Sequence, residues 1–242
     1  MNESPTAPGD VSSSVAHRRA SRVWIFALVA VVIALLIPSY LLLRWALSSA
    51  IAPQAPVTQT AGTPQERVVV ASYQADFQPD KPKAGWRYYW NGNGPIGDTN
   101  AYVELHWDGQ HYVPPDPIPP NARYVMVSSR RGHPGRGPAQ NLQDENEHAL
   151  VIVYTVAEAG RYAIQDSFLL RHDGAMGGSV HLRVLVNDRD VGPDLYCATR
   201  EKLSFDRELG KLAAGDNIYV CIGPGETDAQ DSFGIDFAFG RF

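Results

Sequence analysis

Two patterns of apolar and polar residues divide the chain. The first is an unbroken apolar run, Val23 to Leu43, reading VWIFALVAVVIALLIPSYLLL: 21 residues without a charge. As a helix rising about 1.5 Å per residue it would span roughly 30 Å, the thickness of a bilayer's hydrocarbon core. Trp24 and Trp45 bracket the run as interfacial rings do, and Pro38 is a kink that lipid tolerates. One transmembrane helix is therefore expected over residues 23–45.

The second pattern starts at Glu66 and has period two. Val68-Val69-Val70 with Ser72 and Tyr73 predicts a first strand. Val103, Leu105 and Trp107 alternate with Tyr102, Glu104 and His106. Tyr124 to Ser128 predicts another strand. Leu150 to Val156, LVIVYTV, is β-branched and nearly continuous, the mark of a central strand between two layers. Tyr162 and Ile164 open the next after a turn at Ala157–Gly160. Val180, Leu182, Val184 and Val186 alternate with His181, Arg183 and Asn187, ahead of turn residues Asn187-Asp188. Asn217 to Ile222 follows the turn Ala214-Gly215-Asp216. Phe233, Ile235, Phe237 and Phe239 close the chain. Eight or nine strands without intervening helices predict an all-β, jelly-roll-like β-sandwich, with the last strand paired to an early one.

The stretches between follow. Residues 1–22 are small and polar, a disordered tail. Residues 46–65 hold three prolines and no charge until Glu66, an extended tether. Residues 66–242 are the folded domain. Arg18, Arg19 and Arg22 crowd the near edge of the apolar run, whereas Arg44 stands alone beyond it. The positive-inside rule keeps the tail in the cytoplasm and exports the domain. A single-pass bacterial membrane protein is expected, its C-terminal domain periplasmic or extracellular. The alternative is a signal peptide cleaved at Ser48-Ser49-Ala50, but secretory apolar regions are shorter. Both readings export the domain.

Beyond the anchor, 17 basic residues face 24 acidic ones. That balance argues against sequence-independent nucleic-acid binding. The 18 prolines and 21 glycines suit a turn-rich β protein. The two cysteines, Cys197 and Cys221, lie in the exported part, where a disulfide between them is permitted. Such a bond would close a loop of about 25 residues and stabilise by roughly 3.5 kcal/mol. The other reading is two buried thiols. Cys221 alternates with Ile218, Val220 and Ile222, which points it to the opposite face of its strand.

Three stretches offer chemistry. In Gly85–Asp98, GWRYYWNGNGPIGD, the rings of Trp86, Tyr88 and Trp90 share one strand face, with Arg87 and Tyr89 on the other. Three rings on one face form a flat platform for a sugar's C–H bonds if exposed, or core if not. A glycine-rich loop follows, Asn91 to Gly97. In Arg130–Pro138, RRGHPGRGP, the side chains of Arg130, Arg131, His133 and Arg136 make a basic loop. It suits a carboxylate or sulfate, or pairing with Asp144, Glu145 and Glu147. The acidic series Glu226, Asp228, Asp231 and Asp236 is a candidate for a structural calcium, with Asp228, Asp231 and Asp236 as its ligands; no other cofactor is expected. No G-x-S-x-G, Walker or H-E-x-x-H motif occurs.

The run from Asp76-Phe77 through Gly85–Asn91 with Pro95–Asp98, Tyr102, Leu105 and Trp107 resembles a module of exported bacterial proteins, often planctomycete or marine ones. Gly160-Arg161-Tyr162, Val186-Asn187-Asp188, Ala214–Val220, Gly223-Pro224 and Asp231–Phe237 continue the resemblance over about two-thirds of the chain. It implies a carbohydrate-binding-type β-sandwich and a glycan partner. The expectation is a membrane-anchored glycan-binding module without enzymatic activity. The alternatives are an assembly protein that binds another envelope protein, or a hydrolase.

Overall fold

The computed structural model describes residues 67–137, 147–172, 178–225 and 231–242. The chain divides into two units, Met1–Gly62 and Thr63–Phe242, and the described residues all belong to the second. The expected tail (1–22), membrane helix (23–45) and linker (46–65) lie outside the described residues. Among the described residues no helix is long and apolar enough to cross a membrane.

In chain order the elements are β1 (Val68–Ser72), α1 (Tyr73–Asp76), β2 (Trp86–Trp90), β3 (Val103–Glu104), β4 (His106–Trp107), β5 (Tyr112–Val113), β6 (Met126–Val127), β7 (Gly132–His133), β8 (Leu150–Thr155), β9 (Gly160–Arg171), β10 (Val180–Val186), β11 (Arg189–Asp190), β12 (Leu195–Cys197), β13 (Arg207–Leu212), β14 (Asn217–Pro224) and β15 (Phe233–Arg241). Among the described residues they form two sheets. The first holds eight strands in the order β13-β9-β15-β7-β6-β5-β4, with β1 also on β15. The second holds seven, β11-β10-β14-β8-β2-β3, with β12 also on β10. Neighbouring strands are antiparallel throughout. From β8 onward the long strands alternate between sheets, so each crossing carries the chain over the core.

The core lies between the sheets. The alternating phenylalanines of β15 meet the aromatics of β2: Trp86 packs on Phe239 (centroids 5.8 Å) and Phe237 (5.9 Å), and Tyr73 stacks on Phe237 at 5.3 Å. A second apolar cluster, Ile96, Ala149, Val151, Val153, Leu185 and Cys221, covers the outer face of the second sheet, with Tyr89, Tyr102 and Tyr219 against it. Strand β8 is thus buried on both faces, which is why its sequence is continuous rather than alternating.

The last strand pairs with the first, as expected: Val68 lies opposite Arg241 and Ser72 opposite Ala238. The strand expected through Val103, Leu105 and Trp107 is split. The Leu105 N–H still donates to Tyr88 O (2.9 Å) in the second sheet, and one residue later His106 and Trp107 pair with β5 in the first. The chain folds over the sandwich edge there, so inward alternation survives while sheet membership changes.

The cysteines are free and buried, so the disulfide reading is corrected. Strands β12 and β14 flank β10 on opposite sides, about 9.6 Å apart at two strand spacings. A disulfide needs Cα atoms within roughly 7 Å. The thiols also face apart, Cys197 into the main core and Cys221 into the outer cluster, as the alternation around Cys221 predicts.

Candidate functional site

The aromatic triplet is in the interior. Trp86, Tyr88 and Trp90 do share one face of β2, but they are 3%, 1% and 3% exposed. The platform reading is corrected: ring faces packed on Phe239, Tyr154 and Tyr112 cannot also carry a sugar. Period two fixes which residues share a face; burial of apolar area decides that this face turns inward.

At the end of β2 the chain enters the glycine-rich loop, and Asn91 anchors it. Asn91 Oδ1 accepts the Ala149 N–H (2.7 Å), while Nδ2 donates to Gly94 O (2.7 Å) and Glu147 O (2.7 Å). His148 Nδ1 sits 3.1 Å from Gly92 O and donates to it. Gly92 has φ +59, and a Cβ there would run into Ala101 O. The loop therefore closes on itself, with Ile96 pinned on the outer cluster and the Gly97 N–H donating to Tyr102 Oη (2.9 Å).

Between this loop and the proline-rich stretch 114–119 opens a cleft of about 670 Å³, within the size range of small-molecule sites. Its walls mix Trp90, Val103 and prolines with Asn93, Asp98 and Asp116. Asp98 Oδ1 accepts the Asn100 N–H (3.2 Å), which holds its carboxylate at the rim. The Trp90 indole N–H is buried with no hydrogen-bond partner among the described residues. Sequence reasoning singled out the glycine loop but not the prolines, which carry no periodic signal.

Along the same end of the second sheet runs a transverse row on its outer face. Tyr196 pairs with His181, and His181 with Gly223. One step on, Asn91 bonds Ala149. The Glu147 side chain lies over Gly223. The Tyr196 ring lies flat on the imidazole of His181, centroids 4.6 Å apart and planes at 8°, yet is 66% exposed. His181 itself is buried, with Nδ1 3.2 Å from Glu147 Oε2 and Nε2 3.1 Å from Asp194 Oδ2. The second contact is an ion pair too misaligned for a hydrogen bond. Burial disfavours the imidazolium, but the two carboxylates outweigh it and hold His181 above its ordinary 6.5. Arg183 pairs with Asp190 at 2.9 Å and reaches Asp194 at 3.5 Å, completing the charge cluster.

The basic loop does not form one four-pronged grip. Arg130 and Arg131 lie at the β6–β7 turn, where Arg131 Nη2 donates to Ser232 Oγ (3.0 Å). Arg136 is stitched in by its backbone, its N–H donating to Asn121 O and its carbonyl accepting the His148 N–H. His133 packs beside the exposed ring of Tyr124 (5.7 Å) in a shallow pocket with Arg123 and His111. Of the expected carboxylate partners, Asp144 and Glu145 lie outside the described residues, and Glu147 pairs with His181.

Of the calcium candidates, Glu226 and Asp228 lie outside the described residues and Asp231 is buried ahead of β15. Asp236 Oδ1 accepts the N–H groups of Gln74 (3.3 Å) and Phe237 (2.9 Å). Among the described residues no three His, Cys, Asp or Glu side chains assemble into a metal set.

No family model matches the chain, and no curated protein does. Among solved structures, the module TmCBM61 in complex with β-1,4-galactotriose matches 43% of this chain and 76% of that one, at 17% identity and a TM-score of 0.29. The C-terminal CBM6 of LamC, a marine laminarinase from Zobellia galactanivorans, matches 46% and 90%, at 10% identity and a TM-score of 0.24. Likeness at this level does not say what the chain binds.

Proposed function

We propose that this chain is a glycan-binding β-sandwich held at a bacterial membrane by residues 23–45, with its domain outside the cytoplasm. The observation that carries the binding reading is the cleft between the glycine-rich loop and the 114–119 stretch. Its apolar walls suit the C–H faces of a sugar, and Asn93, Asp98 and Asp116 suit its hydroxyls. Arg130, Arg131 and His133 remain candidates for an acidic substituent on the same glycan.

The test is a glycan array probed with the full chain in detergent, followed by the double variant Asn93→Ala/Asp116→Asn. The expected result is binding to a defined sugar that the variant weakens roughly tenfold or more. A silent array, or a variant that binds as the wild type does, rejects the cleft. Reporter fusions at the carboxyl end should be active outside the cytoplasm; activity only inside rejects the topology.

Two other readings each have an observation in their favour. Burial of Trp86, Tyr88 and Trp90, with Val68 and Val69 exposed on β1, favours a protein partner in the envelope. In-membrane cross-linking to one stoichiometric protein would establish that. Asp98 and Asp116 on one cleft favour glycoside hydrolysis. Release of reducing ends from the bound sugar would establish it.

A further inference from the structure

The exposed ring of Tyr196 is a large apolar surface left in water, and it is not loose. One face lies on His181 at 4.6 Å and 8°, and His181 is fixed in turn by Glu147 and Asp194. A ring clamped from below and open above has already lost its rotamer freedom. A ligand that lies on it therefore incurs little ordering cost. Around the ring stand Asp194 and Arg183, an acceptor and a donor set for hydroxyl groups.

Its position relates it to the cleft. Tyr196, His181, Gly223, Ala149 and Asn91 form one row across β12, β10, β14, β8 and the end of β2, all of them buried except Tyr196, so the row measures the separation and is not itself the contact surface. Four strand spacings separate the ends of that row, about 19 Å. Glu147 ties the two ends together. Its carbonyl takes the Asn91 amide on the cleft side, and its carboxylate takes His181 on the platform side. A monosaccharide cannot span that distance; a short oligosaccharide can.

We infer that Tyr196 is a second sugar-contact surface, and that the glycan recognised is an extended oligosaccharide reaching from the cleft, over the Glu147 side chain that covers Gly223, to the tyrosine. The inference rests on the cleft reading above. Its ring stacks on C–H faces, so it favours a chain without charge on the sugar that reaches it.

The test titrates the full chain in detergent with two ladders, β-1,4-linked galactose and β-1,3-linked glucose, from monosaccharide to hexasaccharide. Wild type, Tyr196→Ala, Tyr196→Phe and Asn93→Ala/Asp116→Asn are compared. Affinity is expected to rise with chain length in one ladder. Tyr196→Ala should remove about tenfold from the longest members and nothing from the shortest, while Tyr196→Phe should bind as the wild type. Because Tyr196 is exposed, Tyr196→Ala should melt within a few degrees of wild type, which separates lost contact from lost fold. Length-independent affinity, or a Tyr196→Ala loss equal at every length or absent, overturns the second surface while the cleft stands. Wild type binding neither ladder overturns both.

Discussion

At the scale of single residues, buried ionisable groups make the sharpest statements. His181 is held above its ordinary value by two carboxylates. Its pairing therefore stabilises the fold fully below about pH 6.5, and that stabilisation is lost as the pH rises through the higher folded-state value. Thermal melts of wild type and His181→Gln should differ most in mildly acid solution and converge toward alkaline pH. A gap that widens with pH would sink the clamp. Asp76 works in the opposite sense. Partial burial pushes its carboxyl up, but Lys83, the Ser72 N–H and the Trp86 indole hold it below 3.8. Its contribution is complete above that value and disappears as the pH falls through the lower folded-state one, so Asp76→Asn should flatten the acid limb of the stability curve. Cys221, whose thiol is pushed up to about 12 by burial, should resist iodoacetamide in the native protein and react only after unfolding. Rapid native alkylation at Cys221 would contradict its placement in the outer cluster.

Elements show where the sequence is legible. Strands with uninterrupted alternation, β10 and β15 above all, declare themselves, because each residue's face is set by the pleat alone. Strand β13 does not. Its buried residues Leu209 and Leu212 are three apart, since Gly210 sits in a bulge with φ +88 that shifts the register between Glu208 and Gly210. One inserted residue erases the period that the eye needs. The triplet Trp86, Tyr88 and Trp90 was readable as one face, but the choice of inner face depends on what packs across the sandwich, which no local pattern records. Tyr196 lies on a three-residue strand too short to show a period. The cleft joins two segments that are brought together only by tertiary structure. The glycine-rich loop also yields a prediction at this scale. Asn91→Ala leaves the buried Ala149 N–H and two carbonyls unpaired, so it should destabilise the domain by about 1–3 kcal/mol in urea unfolding and loosen the cleft wall with it. Unchanged stability would mean that the loop holds without its anchor.

For the whole molecule, the two covered faces of the second sheet explain its asymmetry. One face meets the first sheet and the other meets a loop, so the chain places an aromatic-rich core and a smaller aliphatic cluster edged by Tyr89, Tyr102 and Tyr219 on opposite sides of the same strands. The main core should dominate stability. Phe237→Ala removes a ring that contacts Tyr73, Trp86, Phe205 and Phe239. It should cost about 3–5 kcal/mol by denaturant titration, and a loss under about 1 kcal/mol would argue that the site collapses to fill the gap.

The pairing of the first strand with the last has a mechanical side. Val68 lies beside Arg241, whereas Phe233 starts the nine-residue β15 at the opposite end, the end at which β14 leaves the second sheet beside the row of Tyr196 and Asn91. The chain thus enters at one pole and offers its cleft at the other, about 30 Å away. Were the proposed cleft to hold a sugar, tension between it and the entry point would run along the strands. It would load the β1–β15 hydrogen bonds together in shear instead of peeling them singly.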